Sequence, residues 1–107
     1  MGDGDDTDAK HVMGREFEFD GTYVEAEAWV VPNSDRYPEG IKYSFQYGTT
    51  DGETIFRYDN FPDHPGVGRH HKHNSDDPDD VENVDFTDLE SLYKRFKQEV
   101  IDNGENW

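Results

Sequence analysis

The chain contains no cysteine. That removes a disulfide scaffold, thiolate zinc sites and a cysteine nucleophile from consideration. Long apolar runs are also missing: no stretch approaches the length needed to cross a bilayer. The start, Met1-Gly2-Asp3-Gly4-Asp5-Asp6, is acidic and carries no apolar segment, so no signal peptide is expected. Positive charge is scarce, with 10 Lys and Arg against 26 Asp and Glu, for a net charge of −16. A duplex-binding protein normally shows a basic face, and this composition argues against simple duplex binding. These absences together predict a cytoplasmic protein with no membrane partner.

What is present suits one domain. The length is 107 residues, apolar residues make up 31%, and aromatics make up 14%. Tyr and Phe must therefore carry much of the core, because each buries a large area. High charge with low hydrophobicity has two readings: a disordered chain, or a folded protein whose acidic coat keeps it hydrated in a high-salt cytoplasm. A periodic apolar pattern survives beneath the acids, which favours the folded, salt-adapted reading. In molar salt the Debye length falls to about 3 Å. Repulsion between an acidic surface and RNA would then be short-ranged.

Residues 1–13 show no period and many Asp, and are expected to be a disordered acidic tail. Residues 14–107 are expected to form a single α+β domain. Arg15 to Asp20 alternates, and Asp20-Gly21 signals a two-residue hairpin. Thr22 to Val31 reads as a long strand, with Val24, Ala26, Ala28 and Val30 on one face. After a Pro- and Asp-containing loop, Ile41 to Tyr47 places Ile41, Tyr43, Phe45 and Tyr47 on one side. Glu53 to Asp59 places Phe56 and Tyr58 on one face and Ile55, Arg57 and Asp59 on the other. Asn60 to Asp80 lacks a pattern and is expected to be a long loop, which in a compact domain is functional or disordered. Thr87-Asp88-Leu89-Glu90 reads as a capping box with Thr87 as the cap. Leu89, Leu92, Tyr93, Phe96 and Val100 recur at helical spacing. Lys94, Arg95 and Lys97 are placed where the helix dipole favours cations. The resulting expectation is an antiparallel meander of about four strands with one C-terminal helix packed on the Tyr43, Phe45, Phe56, Tyr58 face. The Arg57, Asp59 face looks outward. Trp107 finds no role in this pattern.

The chemistry-bearing residues cluster. His64, His70, His71 and His73 fall within a short stretch that follows Arg57-Tyr58-Asp59-Asn60 at a strand end. Strand ends leading into loops are common places for sites. Nucleophilic catalysis has little support, since no elbow motif surrounds Ser44 or Ser75. Metal binding is a second option. His71 and His73 are two apart and share a face if extended, and His64, Asp59 or Asp63 could complete a site for zinc or another divalent transition metal. The spacing matches no standard zinc motif, and an exposed His tract can also pick up metal incidentally. Acid–base chemistry is the third option and needs no cofactor. Imidazole takes and gives protons near neutrality. RNA cleavage needs a base at the 2′-hydroxyl, an acid at the leaving 5′-oxygen and a cation for the phosphorane. Arg57, Arg69 or Lys72 could be that cation, and Asp59 could orient a histidine.

Plainer roles stand beside these. Arg57 and Asp59 could be a surface ion pair. Tyr58 reads as core and Asn60 as a turn residue. Asp76-Asp77-Pro78-Asp79-Asp80 could bind a cation but reads first as acidic decoration of a salt-adapted surface. The aromatic face reads as core and not as a base-stacking platform.

The layout as a whole resembles the TumE family, the toxin components of a type II toxin–antitoxin system. The resemblance runs from Arg15 to Val100. It rests on Asp20-Gly21 before a long strand, Lys42-Tyr43-Ser44-Phe45-Gln46-Tyr47-Gly48, Arg57-Tyr58-Asp59-Asn60, His70-His71-Lys72-His73 and one closing helix. It implies a growth-inhibiting toxin with a cognate antitoxin that carries a DNA-binding domain. The matching positions are Arg57, Tyr58, Asp59, Asn60, His70, His71, Lys72 and His73. Residue chemistry adds an endoribonuclease acting on RNA, with Arg57, Asp59, His70, His71, Lys72 and His73 as catalytic candidates. If a metal is used, His64, His71 and His73 are its candidate ligands. The alternative is a non-enzymatic interaction module, metal-binding or not, that acts by holding a partner.

Overall fold

Alternation of apolar and polar residues builds the central strands, and small residues on one strand make room for rings on the next. The computed structural model describes residues 9–62 and 68–107. The strands are β1 (Lys10–Glu18), β2 (Thr22–Val30), β3 (Ile41–Thr49), β4 (Thr54–Asp59), β5 (His71–His73) and β6 (Val81–Asn83), followed by helix α1 (Leu89–Asp102). They form one antiparallel sheet in sequence order. The α+β class, the meander and the closing helix agree with the sequence. The strand count does not: there are six strands, not about four.

The difference has a local cause. β5 and β6 have three residues each, too few for a period-2 pattern to register. Pairing with β4 holds β5, and pairing with β5 holds β6. The region expected as one long loop, Asn60 to Asp80, therefore contains a strand. β1 also begins earlier than its alternation suggested. It pairs with β2 from Lys10 opposite Val30, with a bulge between His11 and Met13. Lys10 to Met13 is thus strand where tail was expected, because the long β2 offers a ladder that far.

Ala26 lies opposite Phe45, and Ala28 opposite Tyr43. The small side chains leave space for the rings above them. Helix α1 covers this face with Leu92, Phe96 and Val100, all buried. Phe96 is the hub, with its ring 5.5 Å from Phe45, 5.7 Å from Phe56 and 5.8 Å from Tyr58. Trp107 also finds its place here. It packs against Phe17, Phe19, Tyr93 and Phe96, sealing the β1 side of the core.

The helix cap differs from the expected box. Asp88, not Thr87, is the N-cap, and its carboxylate accepts from the Ser91 N–H at 2.8 Å and the Ser91 hydroxyl at 3.0 Å. A carboxylate one residue later than the threonine reaches the third helical N–H without strain. The last turn holds no cation, so Lys94, Arg95 and Lys97 sit mid-helix. Asn103 and Gly104, at φ +111°, end the helix as expected.

Candidate functional site

The site is made by strand register. β4 and β5 run antiparallel with Arg57 opposite His73, Tyr58 opposite Lys72 and Asp59 opposite His71. Directly opposed residues share a face, and neighbours along a strand alternate. The register therefore splits the His70-His71-Lys72-His73 string in two. His71 and His73 join Arg57 and Asp59 on the face away from the helix. His70 and Lys72 point to the helix side.

Asp59 is the centre of the first group. Its Oδ1 lies 2.8 Å from His71 Nε2 and accepts from the Phe61 N–H at 3.0 Å. Its Oδ2 accepts from Arg57 Nε at 2.9 Å and lies 3.4 Å from His73 Nε2. The two imidazole rings are 4.9 Å apart at 76°. His71 Nδ1 faces the carbonyls of Arg69 at 3.0 Å and Gly68 at 3.3 Å. A carbonyl only accepts, so this nitrogen carries the proton.

The outward face is not open here. Asp59 and His73 are buried and His71 is 0% exposed. Asn60 directly follows β4 and is itself enclosed. Its amide accepts from the Tyr43 N–H at 3.0 Å and donates to the Ile41 carbonyl at 2.7 Å. The side chain thus replaces a rung of the β3–β4 ladder while the main chain departs. Arg57 is the exposed member, with its side chain 37% accessible. With His73 it lines a cavity of about 240 Å³ completed by Thr54, Ser75, Asp76 and Pro78.

The electrostatics follow from this packing. Burial raises the Asp59 pKa, but the hydrogen bond from His71, the Phe61 N–H and the charges of His71 and Arg57 outweigh it. The carboxyl ends at about 2. Burial disfavours the charged form of His71, and its bond and attraction to Asp59, with the Arg69 and Gly68 carbonyls, outweigh that and raise its pKa.

The remaining candidates lie elsewhere. Lys72 Nζ is 2.5 Å from Glu99 Oε2 and 5.0 Å above the Phe56 ring. It joins β5 to α1 and is not part of the Asp59 group. His70 stacks on Phe86 with centroids 4.3 Å apart, and its Nδ1 lies 2.9 Å from Tyr43 Oη. It therefore lies on the core rim and apart from the Asp59 group. Arg69 lies 3.9 Å from Glu39. His64 and Asp63 lie outside the described residues. The acidic run is also more than decoration: Asp76 accepts from the Thr54 N–H at 3.1 Å, and Asp80 accepts from the Ser75 hydroxyl at 3.0 Å. These bonds shape the β5–β6 turn beside the cavity.

Asn60 was legible as a turn residue and as a family-matching position but not as a substitute for a ladder rung, and Phe61 and the Gly68 and Arg69 carbonyls were not picked out. Backbone groups leave no trace in residue identity. A second, larger cavity of about 660 Å³ lies by Trp29, Tyr37, Arg36 and Lys42. No histidine lines it.

A family model described as Toxin TumE matches residues 4–103. No curated protein and no solved structure matches the chain.

Proposed function

The chain belongs to the TumE toxin family, and on that premise we propose that its toxic act is cleavage of RNA at the Asp59 cluster. As a toxin of a toxin–antitoxin pair it has a cognate antitoxin, for which a DNA-binding domain is proposed. Among the described residues no helix is long and apolar enough to cross a membrane.

One observation carries the RNA reading. A partly exposed guanidinium, Arg57, is fixed through its Nε to the same carboxylate that both imidazoles meet. A phosphate-binding cation thereby sits beside groups suited to moving protons. In the reaction the 2′-hydroxyl loses its proton and its oxygen attacks the adjacent phosphorus. The bond from phosphorus to the 5′-oxygen breaks, and that oxygen takes up the proton that the acceptor removed from the 2′-hydroxyl. Arg57 would hold the non-bridging oxygens, whose charge grows in the transition state.

The packing narrows the acid–base scheme. His71 is fully enclosed and does not reach a substrate in this arrangement. It positions Asp59 from within. His73 and Arg57 are the members at the cavity. The proton acceptor is then His73 itself or a water held by the cluster, and both place cleavage at the same point.

The test is digestion of total cellular RNA by purified protein in molar salt, with growth arrest in cells as a parallel readout. Arg57→Ala removes one transition-state contact, so cleavage should fall by about 100-fold with circular dichroism unchanged. A folded Arg57→Ala protein that cleaves and arrests growth like the parent would sink the assignment. Growth arrest with intact RNA would instead favour a toxin that acts by holding a partner.

A further inference from the structure

We infer that Asp59, His71 and His73 form a binding site for a divalent transition-metal ion of the zinc class, open at the Arg57 cavity. Two imidazoles and one carboxylate are a donor set that suits such ions, whereas magnesium and calcium favour oxygen alone. All three offer ligand atoms within 4.8 Å of one another. Ligands bonded at 2.0–2.1 Å to a tetrahedral ion lie about 3.4 Å apart. His73 Nε2 lies 3.4 Å from Asp59 Oδ2 and His71 Nε2 lies 2.8 Å from Asp59 Oδ1, so each imidazole faces one oxygen of the same carboxylate at close to ligand spacing.

The second argument is the orientation of His71. Its Nδ1–H is committed to main-chain carbonyls, the arrangement by which metal-bound histidines fix their ring. Nε2 is then the nitrogen that meets Asp59, with its lone-pair direction aimed at the carboxylate that would share the ion. Asp59 is held in the same way, by the Phe61 N–H and Arg57 Nε. The ligands thus stand on two paired strands with their outer contacts in place.

The third argument is count and access. Three protein ligands leave a position for water, the pattern of catalytic sites. The cavity lined by Arg57 and His73 lies beside the cluster. This deepens the RNA reading above, since water on the ion would be the proton acceptor that the enclosed His71 cannot be. Metal binding itself can be measured without RNA.

The experiment uses tag-free full-length protein, stripped with chelator, titrated with zinc by calorimetry and with cobalt by visible absorption. Expected are one equivalent of zinc, tetrahedral-type cobalt bands and a rise in Tm on adding zinc. Asp59→Asn and His73→Ala should each weaken zinc binding by at least about 10-fold. His70→Ala, on the helix side, should leave binding unchanged. Absence of stoichiometric zinc binding by the folded parent overturns the site. So does unchanged binding in a His73→Ala protein shown by circular dichroism to be folded. Zinc bound at this site with RNA left intact would retain the metal and remove the RNA reading. RNA cleaved by metal-free protein that also fails to bind zinc would do the reverse and return the proton to His73.

Discussion

At the scale of single residues, side chains that replace backbone matter as much as those that do chemistry. Asn60 serves the Tyr43 N–H and the Ile41 carbonyl at the end of β3, and that lets the chain leave the sheet immediately after Asp59. Truncation would strand both groups in the interior, where each unsatisfied partner costs about 1–3 kcal/mol. Asn60→Ala should therefore lower stability by about 2–3 kcal/mol in urea denaturation, and loosen Asp59 with it. A loss no larger than that of a surface substitution would show that water replaces the amide. Phe96 is the apolar counterpart. Its ring is enclosed by four aromatic partners on the sheet and helix. Phe96→Ala should cost about 3–5 kcal/mol, a large part of what holds a domain of this size. A Tm within a degree or two of the parent would contradict that central role.

At the scale of elements, the helix start is an electrostatic joint. Asp88 accepts from the Ser91 N–H and hydroxyl, and these bonds hold its pKa below the ordinary 3.8. A depressed folded-state pKa means the stabilisation is present above 3.8 and lost as pH falls through the lower, folded value. Asp88→Ala should thus melt below the parent at neutral pH, and the gap should close on acidification below 3.8. A gap constant with pH would mean that the cap does not depend on charge. The short strands make the complementary point. β5 is three residues long, yet its register decides which half of the histidine string meets Asp59. Periodicity revealed β2, β3, β4 and α1, because each repeats its pattern several times. It could not reveal β5, whose only signature is pairing with β4.

At the scale of the whole molecule, the charge of −16 is a standing self-repulsion. Added salt shortens its range from about 10 Å at 0.1 M to about 3 Å at 1 M. Thermal melts should therefore show Tm rising with potassium chloride, with most of the rise below molar concentration. A flat profile would place the opposed charges too far apart to matter.

The sequence by itself determined the class and the layering. Alternation in the strands and helical spacing from Leu89 to Val100 require one apolar sheet face and one helix to cover it. Residue chemistry also singled out Arg57, Asp59 and the histidine string, since cations, carboxylates and imidazoles are visible as letters. Tertiary structure alone decided which of them meet. The register of β4 on β5 put His71 and His73 with Asp59 and sent His70 and Lys72 to the core side. Folding also buried Asp59, His71 and His73 on a face that alternation had left outward. The physical reason is that side-chain period is local, while register and cover are set by hydrogen bonds between segments far apart in the chain.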